Sequence, residues 1–441
     1  MRWDSKRGLL LTLLLGSGMA YYYFVLFLPQ AHEVLRVEQR NHGYSFGCDL
    51  YPLWITARNL ESGRRDPYGA ATTAEIQRGL YGRTLDPHRP GDPPQNYRAF
   101  VYPLYSELLL LPVAILPFSW IQIGGSVVFP AMVVAGVFLW MRALDIRLTW
   151  RGGWIACILA VTSSPALEGV YALQPGLIVA ALLAASMLSL RRGRLLLAGV
   201  LLAMASIKPQ LVWLVAVWLV IWAVSDWKIR WPFLLGGLGA GTVLVAMSQW
   251  IQPGWFREWA ANIADYRKYT EPPLAELIMG TWLAVALKVF LGVLAAVAAW
   301  RARWSAPTSP AFQGFWIWIL MVTVIVVPSS VAVYDQLLLL PGILWLAWNY
   351  REIMRSGLAF RILGILSVAA LGWPWISAVF VDVVSWMSPV SMPSRDLLFL
   401  PLRTAASLPF ALLALASFFV LKGTKMTSGK SRVSGPAALI L

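Results

Sequence analysis

A chain of 441 residues that is 59% hydrophobic, holds 24 Trp and is only 13% charged has the composition of a polytopic integral membrane protein. Its 36 Lys and Arg outnumber its 21 Asp and Glu, a net charge of +15. Outside the first long loop, however, most basic residues fall in short connections such as "RRGR" (Arg191 to Arg194), "WKIR" (Trp227 to Arg230) and "WRAR" (Trp300 to Arg303). That pattern orients spans and excludes nucleic acid as a partner; the two cysteines, Cys48 and Cys157, lie too far apart to suggest a disulfide framework.

The N-terminal "MRWDSKRG" precedes an apolar stretch from Gly8 to Pro29 that is long enough to span and is followed by no small-residue cleavage site. It reads as a first transmembrane helix with a cytoplasmic basic end. The first extracytoplasmic loop, 30–118, should contain short juxtamembrane helices: "YPLWITARNLESG" (Tyr51 to Gly63) and "TTAEIQRGLYG" (Thr72 to Gly82) have apolar residues at helical spacing and end on Gly. Further apolar segments follow at 99–117, 119–141, 152–170, 174–190, 194–207, 209–225, 231–251, 277–300, 311–329, 335–350, 358–381 and 396–421, making thirteen candidates with the first. With both termini cytoplasmic the number of crossings is even, so one candidate must not cross. The segment 99–117, "AFVYPLYSELLLLPVAILP", contains Pro103, Pro112 and Pro117 and carries Glu107, so it is expected to lie as a helix at the interface. The expectation is an all-α single membrane domain over 1–441 with about twelve transmembrane helices and a cytoplasmic tail, 422–441.

By this topology the chemically interesting residues collect on one face. Asp49, in "GCDLYPLW", stands among apolar residues just before a helix. A partly desolvated carboxylate is a usable general base, and Asp is also a preferred helix N-cap; the two readings carry equal weight. Lys208 interrupts "AGVLLAMASIKPQLVWLVAV", either as a snorkelling side chain or as an ammonium facing a cavity where it holds a lipid phosphate. Gln174 opens a span in "YALQPG", and Tyr334, Asp335 and Gln336 open another; singly each is a plausible cap. Tyr102, in "NYRAFVYP", suits an aromatic belt. Lys288 and Arg403 lie within spans with no partner evident, and "PGWFREWAANIADYRKYTEPP" (Pro253 to Pro273) is suited to covering a site or lying on headgroups. His32, His42 and His88 lack metal-ligand spacing, so no metal site is expected.

Asp49, Tyr51, Ala57, Leu60, Gly63 and Asp66-Pro67-Tyr68-Gly69, then "F.YP", a Gln opening a span, "RRGR…AG" and "KP", resemble the bacterial GT-C polyprenyl-phosphate-sugar-dependent glycosyltransferases, in particular the α-1,2-mannosyltransferase family that includes the mycobacterial enzymes. The resemblance covers the first half of the chain, and the second half mainly by hydropathy. It implies a GT-C-like fold and inverting transfer of a hexose, mannose first, from a polyprenyl-phosphate-linked sugar to a glycan or glycolipid acceptor at the extracytoplasmic face of the cytoplasmic membrane. Asp49 would be the base, Lys208 would lie near the donor phosphate and Tyr102 beside the same pocket; Gln174, Tyr334, Asp335 and Gln336 complete the expected binding residues. No cofactor is expected, and a divalent ion is left open. Where similar proteins often show "GQ.N", "YPP" and a His-containing pair, this chain has "LQPG", Tyr102-Pro103-Leu104 and Tyr334-Asp335-Gln336. A lipid or sugar transporter and a non-catalytic membrane subunit are the rival readings.

Overall fold

Hydrocarbon offers backbone amides no partner, and the long apolar runs of this chain answer with helices; no strand forms among the described residues. The computed structural model describes residues 5–37, 45–61, 63, 66–86, 88, 92, 98–268, 270–327, 332–387, 395–405 and 407–422. Among them six helices are long and apolar enough to cross a membrane: Lys6–Glu33, Phe118–Ala143, Trp227–Ile251, Thr281–Ala302, Leu358–Met387 and Leu400–Ser417. The pair Trp150–Val161 and Ser164–Ala172 meets the same test jointly and is bent by 57°. Four shorter apolar helices, Pro175–Arg191, Leu195–Ala205, Pro209–Ser225 and Pro310–Val326, accompany them. The chain is therefore an all-helical, multi-pass membrane protein.

Local chemistry sets the helix ends. Hydroxyls of Ser5, Thr149, Ser163 and Ser309 accept from the amides of Gly8, Gly152, Ala166 and Phe312, filling orphan positions of the first turn. At C-termini the basic connections contribute: Arg191 donates to the Ala143 carbonyl at 2.8 Å, and Arg230 to the Trp222 carbonyl at 2.7 Å while its guanidinium covers the Trp222 ring at 4.2 Å. Arginines of the basic connections thus satisfy terminal carbonyls.

Two packing devices hold the bundle. The helices Leu195–Ala205 and Trp227–Ile251 touch backbone to backbone: a Cβ at Gly199 would lie 2.1 Å from the Phe233 carbonyl oxygen, and one at Gly236 2.1 Å from that of Leu196. Small residues permit this approach where no hydrophobic force separates helix from lipid. Elsewhere, Trp218 packs its ring 4.6 Å from Phe312, 4.7 Å from Phe315 and 5.7 Å from Trp316, joining Pro209–Ser225 to Pro310–Val326. Offset and edge-on contacts of this kind add to the burial of the rings.

The two short helices expected in the first loop form as Tyr51–Glu61 and Ala70–Tyr81, the latter stopped by Gly82 at φ 72°. The first helix runs further than its apolar stretch, through a π-helical turn at Tyr22–Phe27 and on to Val37. The segment 99–117 is not the expected interfacial helix. It folds into two 3₁₀ pieces, Leu104–Leu109 and Leu111–Val113, because Pro103, Pro112 and Pro117 each remove an amide and disfavour helix in the residue before. Within the expected span 396–421, Leu400–Ser417 is one of the six long apolar helices, preceded by the short helix Arg395–Leu398, and helix continues to Lys422. His42, residues 328–331 of the corner before Tyr334, the tail from 423 onwards and the side chain of Arg403 lie outside the described residues.

Candidate active site

The site is assembled from the C-terminus of Ser164–Ala172. That helix ends at Leu173, in the left-handed region at φ 50°, and leaves carbonyls to be satisfied. The chain entering the first-loop helix supplies the donors: the Gly47 amide bonds the Tyr171 carbonyl at 2.8 Å and the Asp49 amide the Ala172 carbonyl at 3.1 Å. Gly47 itself has φ 80° and Phe118 at 3.0 Å from where a Cβ would stand, so a side chain there would be both strained and crowded. These bonds carry Asp49 to the end of the bent pair, next to Gln174.

Asp49 is not spent as a helix cap. Its Oδ1 accepts from Arg98 Nη1 at 2.5 Å and from the Cys48 thiol at 3.6 Å, and its Oδ2 accepts from Gln174 Nε2 at 2.6 Å. Gln174 does two jobs, since its Oε1 also caps Pro175–Arg191 through the Gly176 amide at 3.4 Å and accepts from the Tyr102 hydroxyl at 3.4 Å. Burial, and then the Asp49 carboxylate, push the Tyr102 phenol well above the ordinary tyrosine value, so it stays protonated and able to donate.

Lys208 precedes Pro209–Ser225 and reaches Asp335 at 2.9 Å, with side chains only 5% and 2% exposed, while its ammonium lies over the Tyr334 ring at 5.0 Å. Gly176 joins the two halves of the cluster: a Cβ there would meet Asp335 Oδ1 at 2.7 Å, Lys208 Nζ at 3.3 Å and Gln174 Cγ at 3.6 Å. The structure therefore brings together Asp49, Tyr102, Gln174, Lys208, Tyr334 and Asp335, which lie up to 286 residues apart in sequence (49 to 335). Gln336 is buried beside Asp335, and its Oε1 has no hydrogen-bond partner.

The aromatic helix Trp255–Tyr266 fixes the segment that carries Arg98 and Tyr102. Trp259 Nε1 donates to the Val101 carbonyl at 3.1 Å and Asn262 Nδ2 to that of Phe100 at 2.8 Å. Tyr266 stands near Arg98; burial pushes its phenol up, and the guanidinium pulls it partly back. Burial opposes the charge of Arg98, but Asp49 together with Cys48, Tyr81 and Tyr266 more than offsets it and holds the guanidinium well above its ordinary value.

Arg98 is the member of the cluster that the sequence does not single out, because an arginine in a polar loop is ordinary. The available signal is arithmetic: Asp49, Asp335 and Lys208 leave one carboxylate without a cation, and buried charges are paired. Lys288 has a partner after all, Glu276 at 3.6 Å, and stands apart from this cluster. Glu168 lies close enough to Asp49 for their charges to interact, and its Oε2 is buried without a hydrogen bond. His32 pairs with Tyr171 at 3.0 Å.

Compared with family models, curated proteins and solved structures, the chain matches none.

Proposed function

We propose that the chain is an inverting, GT-C-like glycosyltransferase with twelve crossings in the cytoplasmic membrane. It moves a hexose, mannose first, from a polyprenyl-phosphate donor to a glycan or glycolipid acceptor at the extracytoplasmic face. One observation carries the reading: two carboxylates, two cations and hydrogen-bonding groups from distant parts of an apolar chain meet around Gln174 and Gly176. Polar groups are costly inside a membrane protein, and their concentration at one place is what a site for an anionic lipid and a polar acceptor requires. The twelve crossings are the six long helices, the bent pair as one, the four shorter apolar helices, and Leu340–Arg355 with its 3₁₀ lead-in Val333–Leu339.

In the proposed step the acceptor hydroxyl attacks the anomeric carbon from the side opposite the phosphate, its proton passes to Asp49, and the carbon–oxygen bond to phosphate breaks with its electron pair leaving on the phosphate. Gln174, held by Tyr102, orients the base; Arg98 and Lys208 are the cations at hand for the departing charge. Phosphate is already an adequate leaving group, so one base and compensating cations suffice.

The test is transfer in membranes supplied with a panel of radiolabelled polyprenyl-phosphate sugars. Wild type should label an acceptor from one of them, and Asp49→Asn should lose that activity by about a thousandfold. Full activity in Asp49→Asn removes the base assignment. Movement of the labelled lipid between leaflets, without transfer, would favour a transporter instead.

A further inference from the structure

The formal charges of the two ion pairs cancel. Asp49 with Arg98 and Lys208 with Asp335 form two closed ion pairs, at 2.5 and 2.9 Å. A polyprenyl phosphodiester brings in a further negative charge, which is strongly unfavourable in a partly buried place unless a cation is freed for it. One pair has to open.

The two pairs are not equally able to. Lys208 and Asp335 are 5% and 2% exposed, the ammonium is also held against the Tyr334 ring, and Gly176 closes the space beside them. Withdrawing Lys208 would leave the Asp335 carboxylate buried with no other donor among the described residues. Arg98 and Asp49 are 20% and 11% exposed, and Asp49 would keep Gln174 and the Cys48 thiol as donors. Arg98 also has unused capacity, because its Nε is buried without a partner. A guanidinium presents several N–H groups in a fixed fork that matches a phosphate. Its backbone, at φ 51°, is in the left-handed region that a non-glycine residue enters at some cost.

We propose that Arg98 is an exchangeable lock on Asp49: it holds the carboxylate while the site is empty, and transfers to the donor phosphate when the lipid arrives, releasing Oδ1 to receive the acceptor hydroxyl. This deepens the glycosyltransferase reading and rests on it. Donor then binds before acceptor, and Asp49 Oδ1 stays engaged until a donor is in place.

The experiment is isothermal titration of the full-length protein in nanodiscs with polyprenyl phosphate, using neutral polyprenol as reference. Asp49→Asn leaves Arg98 uncommitted and should bind polyprenyl phosphate about tenfold tighter than wild type, whereas Arg98→Gln should bind about tenfold weaker. In the double variant the gain from Asp49→Asn should vanish, and Arg98→Lys should keep part of the affinity. If Arg98→Gln melts early, Asp49→Asn and Arg98→Lys decide the matter. An Asp49→Asn protein with wild-type melting temperature and unchanged affinity overturns the lock but leaves the donor reading standing. Failure of the wild type to prefer the phosphate over polyprenol removes the donor reading, and the lock with it.

Discussion

Glu107 has no exposed surface, and neither of its carboxylate oxygens finds a hydrogen bond, since the neighbouring Thr56 hydroxyl turns to the Pro52 carbonyl at 2.6 Å. Burial pushes its pKa from 4.5 to about 8, with Thr56 pulling slightly the other way. The folded protein therefore binds a proton here that the unfolded chain releases between these values. Stability conferred by the neutral acid is fully present below pH 4.5 and is lost as pH rises through about 8. Glu107→Gln should flatten that decline and raise the melting temperature at neutral and higher pH. The difference between the two proteins across a pH series isolates Glu107 from nearby Asp66 and Glu258, and equal slopes would show that it does not titrate in this range. Among single residues, legibility followed contrast. Asp49, Gln174 and Lys208 stand out against apolar neighbours, whereas Arg98 does not, and its partner became visible only when the chain was folded.

Between helices, the Gly199 and Gly236 contact makes a sharp demand. Gly199→Leu would drive a side chain into the Phe233 carbonyl, which as backbone cannot move aside, and should lower the melting temperature by several degrees or prevent folding. Gly239→Ala, on the partner helix Trp227–Ile251 but with nothing within 4 Å of its added Cβ, should behave as wild type. Equal effects from the two would show that helix propensity, not the close approach, matters. Apolar length and turn residues were enough to read the helices Tyr51–Glu61 and Ala70–Tyr81. They are not enough for 99–117, where Pro-spaced residues with apolar anchors settle as separate 3₁₀ turns instead of one helix. Nor does hydropathy reveal a 57° bend, which comes from Ser163 and Ser164 starting a new helix with their own cap just before Pro165.

For the molecule as a whole, the proposed twelve-crossing topology puts the helix Ala70–Tyr81 outside the cell and "RRGR" inside. Cys48 and Cys157 are buried, so native thiols contribute little background to labelling. A cysteine at exposed Ala71 should react with an impermeant maleimide in intact cells, and one at exposed Arg192 only after lysis. The reverse pattern would turn the protein over and move the site to the cytoplasm. The multi-pass helical class follows from composition, because the bilayer permits few alternatives. The meeting of residues 49, 98, 174, 208 and 335 depends on tertiary contacts that leave no periodic trace in the chain.

The position of Asp49 is set by main-chain bonds, from Gly47 and Asp49 to the carbonyls of residues 171 and 172. Such stitching is indifferent to which side chains the two carbonyl-bearing residues carry. Sequence drift can rewrite this corner almost letter by letter while the acid stays put, provided position 47 remains glycine. Resemblance at the level of letters can then fade well before the architecture does.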